Sequence, residues 1–282
     1  MSILWPSIVV VLAAATLAAL AVVRLISSGR GSRDVRGTVW QFAGLLLGVA
    51  LCVFAEFLDG PRHRLILSLP ALAGCCWLLG LIAAECTRPR SQTGAIRVAG
   101  LAPRSPSRYL ARWARAGMRA AFLIAGALAL TAAALGAPSH SARLSTAAST
   151  RTILSHGPWP GWYYGGPALI GLLCGLALTE VTVSLIAARA PLATDATVDA
   201  RARSQAARAA LTAATLIALP VLGALLLEMG AGLAGVSPSA LVRDVARAMA
   251  LAGGITLLAS AAAWLAALVS GGRAVVPRVA KP

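Results

Sequence analysis

Seven stretches of this chain are each about as long as a bilayer is thick, and nothing else in it limits the fold as much. They run 3–23, 39–58, 65–85, 119–136, 167–188, 209–232 and 248–270. A helix needs about 20 mostly apolar residues to cross a hydrocarbon layer of roughly 30 Å. Lipid offers no hydrogen bonds, so each run must satisfy its own backbone, which a helix does along its length. The expected fold is all-α: a polytopic membrane helical bundle of about seven transmembrane helices, one membrane domain over 1–282. Composition agrees, with 59% hydrophobic and 12% charged residues, outside the range of soluble domains. The first run has no basic residue before it and no cleavage site after it, so it reads as a retained span. The two weakest spans are 119–136, short and Ala-rich, and 248–270, rich in Ala and Gly.

The loops between the runs alternate sharply in charge. Segments 24–38, 87–119, 189–208 and 271–282 hold 19 of the 25 basic residues, and 59–64, 137–166 and 233–247 hold the other 6. Positive charge marks the cytoplasmic side, which places the N-terminus outside and the C-terminus inside. A formal net charge of +16 would suggest nucleic acid in a soluble protein, but here the arginines lie between apolar runs and form no continuous basic face. Nucleic acid is therefore not an expected partner. Lys281 is the one lysine and Asn is absent, which points to GC-rich codons and a bacterial source, and removes any N-glycosylation acceptor. The expected location is the bacterial plasma membrane.

The longest outer loop, 137–166, ends in GPWPGWYYGGP, residues 157–167: four aromatic rings, three prolines and four glycines. Trp159, Trp162, Tyr163 and Tyr164 suit the headgroup level, where a ring is half buried and its N–H or O–H stays hydrated. Pro167 suits a first helical turn. An interfacial anchor is the simpler reading; a pocket for an external ligand is the alternative.

Four motifs carry a resemblance. They are AAECTRPR at 83–90, AGLAPRSPSRYLARW at 99–113, GPWPGWYY at 157–164 and DARARSQAARAA at 199–210. Together they resemble a family of uncharacterised actinobacterial, Streptomyces-type, multi-pass integral membrane proteins with a GPWPG outer-loop motif. The resemblance covers roughly 65–225 and departs from the family pattern by a Ser-Arg pair, 107–108, before Tyr109. It implies a membrane topology and a lineage, and no activity. A weaker internal echo links PALAGCCWLLGLIAAE from Pro70 with PALIGLLCGLALTE from Pro167; duplication and chance in Ala/Leu-rich sequence both explain it.

Glu180 is the one acid clearly inside a run, about eight residues from Arg189. Carboxylates in hydrocarbon are costly and face a bundle interior or mark function. Thr179, Thr182 and Ser184 are its polar neighbours, so Glu180, Thr179 and Ser184 form the candidate intramembrane polar site. A neutral Glu180 bonded to another helix and a proton or substrate site both fit. Glu56, Glu85 and Glu228 lie near span ends, where water reaches them.

The basic cytoplasmic loop 87–119 contains the best-patterned segment, 107–119. Arg108, Arg112, Arg115 and Arg119 are spaced four, three and four, which lines one face of a helix, with Tyr109, Leu110, Trp113 and Ala114 opposite. That pattern predicts an interfacial amphipathic helix whose arginines contact the headgroups of an anionic inner leaflet.

Chemistry has few footholds. His63, His140 and His156 lie on the outer side with Glu56 and Asp59, but at no recognised ligand spacing, so no metal site is expected. There is no HExxH, GxSG, CxxC or phosphate-binding loop, so neither catalytic residues nor a cofactor is expected. Cys52, Cys75, Cys76, Cys86 and Cys174 all fall in or at the end of apolar runs and read as small hydrophobes. GLLLG at 44–48 and GLLCG at 171–175 match a close-packing motif, better explained inside the bundle than as a dimer interface. The leading reading is a non-enzymatic accessory or scaffold protein of the inner membrane, with a membrane protein as partner. The alternative is a small transporter or permease subunit with Glu180 in its path; Pro70, Pro220 and Gly253-Gly254 are the only interruptions favouring it.

Overall fold

The computed structural model describes residues 35–59, 65–87, 110–136, 144–148, 152–156, 159–189, 196–236 and 239–270. Among them lie α1 (Val35–Asp59), a 3-10 turn (Ile66–Ser68) that runs into α2 (Leu69–Cys86), and α3 (Arg112–Leu135). A hairpin of β1 (Leu144–Ala148) and β2 (Thr152–His156) follows, then α4 (Gly161–Ala188), α5 (Ala196–Val236) and α6 (Ala240–Ser270). Five helical stretches are long and apolar enough to cross a membrane: Ile66–Cys86, Arg112–Leu135, Gly161–Ala188, Asp199–Ala234 and Ala240–Trp264. A shorter apolar stretch, Val39–Ala55, sits in α1. The expected span at 3–23 lies outside the described residues.

The bundle is helical throughout, and α2, α3, α4 and α5 enclose its core. Leu78, Leu81, Leu172, Ile217, Val221 and Leu225 meet there, each 2% exposed or less. α1 packs on α2 and α6 packs on α5, so these two helices lie at the periphery. Small residues permit both outer contacts. A Cβ on Gly48 would stand 2.9 Å from the Ala73 Cα, and one on Gly253 would stand 2.6 Å from the Gly223 carbonyl oxygen. Gly44 meets Gly80 while Gly48 meets Ala73, and Gly223 meets Gly253 while Gly230 meets Ala246. In each set the numbers rise along one helix as they fall along the other, so both pairs are antiparallel. Both GxxxG matches face inward, Gly44 and Gly48 onto α2, Gly171 onto Ala71 and Gly175 onto Ile217.

Five of the six described helices, α1 and α3 to α6, start earlier than their apolar runs suggest. α3 begins at Arg112, because no breaker lies between the extended Ala111 and the extended Gly136. The amphipathic helix expected over 107–119 is thus not a separate element: its second half forms the first two turns of α3, while 107–109, including Arg108, lie outside the described residues. α4 begins at Gly161, with Pro167 inside it and not in its first turn. At that position Pro167 has no N–H to give the Tyr163 carbonyl one turn back, and its ring crowds that carbonyl, a local weakness the rest of the helix tolerates. At 28 residues α4 is about 42 Å long, more than the hydrocarbon needs.

The loop between α3 and α4 contains an element that the apolar runs do not predict. β1 and β2 pair antiparallel from Leu144↔His156 to Ala148↔Thr152. The five cysteines are free. Cys52 Sγ donates to the Leu69 carbonyl at 3.2 Å, which ties α1 to the start of α2.

Candidate functional site

The buried and half-buried ion pairs of the described helices gather at one end, while the exposed pair of Arg247 and Asp244 lies at the start of α6, at the other. α2 and α4 finish at the end with the buried pairs, and α3 and α5 start there. Glu85, one residue before the end of α2, accepts two hydrogen bonds from Arg189 Nη1, at 3.1 and 3.0 Å. Arg189 follows the last residue of α4, and the two side chains are only 8% and 6% exposed. A charge pair so deeply withdrawn from water is stable only when its geometry is good, and removing one partner is severe.

Arg203 makes the second link. On the first turns of α5 its Nε donates to Asp199 Oδ2 at 2.7 Å, one turn back along the same helix. Its Nη1 and Nη2 donate to the carbonyls of Ala187 and Arg189, at 2.8 and 3.0 Å. The last carbonyls of any helix lack intrahelical donors, and a cation there also meets the negative end of the helix dipole. Arg203 therefore caps α4 from α5, and Asp199 holds the guanidinium in place.

Glu180 makes the third. Arg119 Nε donates to its Oε1 at 2.7 Å, and Arg115 Nη2 to its Oε2. The match is one of depth. Arg119 is seven residues into α3, about 10 Å, and Glu180 is eight residues from the end of α4, about 12 Å. In antiparallel neighbours these positions fall level. Glu180 is accordingly half-buried near the basic end, with its carboxyl group between the two guanidiniums of α3. About 20 residues, the number that spans a hydrocarbon layer, separate the exposed Trp162 on α4 from Glu180.

The polar neighbours do not converge on that acid. Thr179 is fully buried and its hydroxyl donates to the Gly175 carbonyl one turn back, while Thr182 does the same to Leu178. Ser184 is exposed. Hydroxyls in apolar helices bond their own backbone when no better acceptor is near. The Arg face of 107–119 is likewise divided: Arg115 and Arg119 turn to Glu180, and Arg112 is exposed. Its intended apolar face is divided too, with Leu110 buried and Trp113 80% exposed.

The aromatic group is not one cluster. Trp159 is 1% exposed, packed with Ala132 and Met229, and its Nε1 donates to the Ala132 carbonyl at 2.8 Å. Ala132 sits in the last turn of α3, so Trp159 caps that helix, as Arg203 caps the next. Trp162 is exposed as a membrane anchor would be, and Tyr163 and Tyr164 meet edge to face, centroids 4.9 Å apart. Trp159 directly precedes Pro160, the N-cap of α4, and its indole packs against the end of α3 before α4 begins.

Among the described residues no three His, Cys, Asp or Glu side chains cluster in a way that could hold a metal ion. His63 and His140 lie outside the described residues, and nothing is described of the side chains of His156, Glu56 and Asp59. Arg189, Arg203, Glu85 and Trp159 are the tertiary contacts that sequence reasoning missed or ranked low. A signal existed for two of them: a basic residue just past one span, and one at the start of the next, are the natural caps for an α4 that ends without glycine. No family model matches this sequence, and no curated protein or solved structure shows significant similarity to it.

Proposed function

We propose that this chain is a non-enzymatic, multi-pass protein of a bacterial plasma membrane, an accessory or scaffold bundle for other membrane proteins. One observation carries the reading: the acid inside a crossing helix, Glu180, is bound by two arginines of the neighbouring helix. At the same end Glu85 and Arg189 link α2 to the end of α4, and Arg203, held by Asp199 on its own helix, caps α4 from α5. Charge there is spent on joining helices, and the core beyond it is apolar. The seven-span count adds 3–23 and Val39–Ala55 to the five crossing helices, and the orientation follows from the arginine-rich loops at the end where the ion pairs gather. The GPWPG motif supports an actinobacterial lineage.

The transporter reading retains one supporting observation: Arg119 is 49% exposed, so the Glu180 pair opens to one side of the bundle. Proteoliposomes separate the two. A scaffold passes no more protons or cations under an imposed gradient than protein-free vesicles, and Glu180→Gln lowers its thermal stability. A transporter shows flux that Glu180→Gln abolishes while stability holds, and that result overturns the proposal.

A further inference from the structure

The exposed face of α3 changes character along its length. Arg112, Arg115 and Arg119 occupy its first two turns, spaced three and four, and Leu123, Ala127 and Leu130 continue the same face at spacings of four, four and three. Leu123 is 67% exposed and Leu130 53%, so among the described residues no other helix covers this face. Trp113 stands exposed beside the first arginine. Guanidiniums and an indole over the first two turns, then bare aliphatic side chains, follow the order of a membrane leaflet read from headgroup to acyl chain.

The charges do not balance. Two guanidiniums, those of Arg115 and Arg119, meet the single carboxylate of Glu180 and Arg112 stands outside that pair, which leaves an excess of two positive charges on this face. Glu180 takes the Nε edge of Arg119 and the Nη2 of Arg115, and so fixes where both guanidiniums point. Two features increase the pull on an anion. The first turn of α3 has no side-chain cap, so its leading N–H groups face outward with the positive end of the helix dipole. Side chains on a helix also lean towards its N-terminus, which lifts Arg119 towards the headgroup level.

We propose that the start of α3 is a binding site for an anionic phospholipid. Arg112 and Arg119 hold the phosphate, Glu180 is the positioning residue that orients Arg115 and Arg119, and the acyl chains lie along Leu123, Ala127 and Leu130. The site rests on the bundle spanning a membrane, not on the scaffold reading, and it stands equally if the protein proves to be a transporter. An acidic soluble partner would use the arginines but leave the aliphatic continuation unexplained. Arg115 and Arg119 thus act from a fixed position beside Glu180, not from a helix lying flat on the surface.

Trp113 is a built-in probe. The full-length protein is placed in phosphatidylcholine nanodiscs containing one-tenth of dibrominated phosphatidylglycerol, or one-tenth of dibrominated phosphatidylcholine. Quenching of the Trp113 signal is taken as the difference between the protein and its Trp113→Phe variant. The expected result is stronger quenching by the anionic lipid, falling as salt rises. Arg112→Gln lowers that preference about five-fold and Arg112→Lys keeps most of it, in line with the contribution of one charge near a membrane surface. Arg112 is exposed and outside the Glu180 pair, so neither variant disturbs the fold, and an unchanged elution volume checks this. Millimolar inorganic phosphate leaves the preference intact when the occupant is lipid. Equal quenching by the two lipids overturns the proposal, as does an Arg112→Gln variant with wild-type preference. Loss of the preference on adding inorganic phosphate overturns it in favour of a soluble anion.

Discussion

Replacing Arg203 by Met should destabilise the protein more than any other single loss of charge at the basic end. The guanidinium is 3% exposed and makes three hydrogen bonds: to Asp199, at 2.7 Å, and to the last carbonyls of α4. Met fills similar volume and is apolar, so the change isolates the polar contacts. Breaking a buried ion pair by removing one partner costs about 3–5 kcal/mol, because the other charge keeps its desolvation penalty. Orphaned buried carbonyls add to that, at about 1–3 kcal/mol each when no water reaches them. A shift of roughly 2–4 °C per kcal/mol then predicts a drop in melting temperature of about 10 °C or more. With Cys75, Cys86 and Cys174 replaced by Ser, a fluorogenic maleimide follows unfolding, since the free Cys52 and Cys76 are buried until the bundle opens. The double variant Arg203→Met with Asp199→Leu should recover part of the loss by removing the stranded carboxylate, but not the part due to the α4 carbonyls. If Arg203→Met melts within 1 °C of wild type, the capping argument is wrong.

Three further outcomes follow from particular contacts. Gly253→Ala should destabilise by about 1–3 kcal/mol through its clash with the Gly223 carbonyl, whereas Gly254→Ala, with nothing within 4 Å, should gain up to about 1 kcal/mol of helix propensity; thermal melts of the two neighbours decide it. Trp159→Phe should cost about 1–3 kcal/mol by leaving the Ala132 carbonyl without its donor, and an unchanged melt would return Trp159 to the role of a surface anchor. In a cysteine-free background, an impermeant thiol reagent applied to intact cells should label Ser145→Cys and not Ser105→Cys; the reverse pattern overturns the orientation.

Much of this was legible in the residues, and the failures have a common cause. Apolar runs located every described helix, because lipid and core impose the same demand for about 20 apolar residues. They misplaced helix starts, since a run ends at its first charge while the helix continues. Truncating α3 at 119 hid the match in depth between Arg119 and Glu180; starting it at Arg112 makes that match visible. Glu180 itself stood out as a charge in an apolar run. Its partners did not, because an arginine in a basic loop looks like every other arginine there. The same holds for Trp159, whose type suits an interface and whose burial depends on packing against the end of α3. The hairpin at 144–156 is held by backbone pairing between short polar strands and left no alternation for a sequence reading to find.

The central claim is that Glu180 joins α3 to α4 and is not held in reserve for transport. A double-mutant cycle in nanodiscs tests this most directly, with Glu180→Gln, the pair Arg115→Gln and Arg119→Gln, and all three together. Each set is unfolded by a graded denaturing detergent. The account predicts a coupling of about 1–3 kcal/mol, with the triple variant no less stable than Glu180→Gln alone, since the remaining partners lose nothing further. Additive losses, with coupling below about 0.5 kcal/mol, would mean that carboxylate and guanidiniums act independently, and would contradict it.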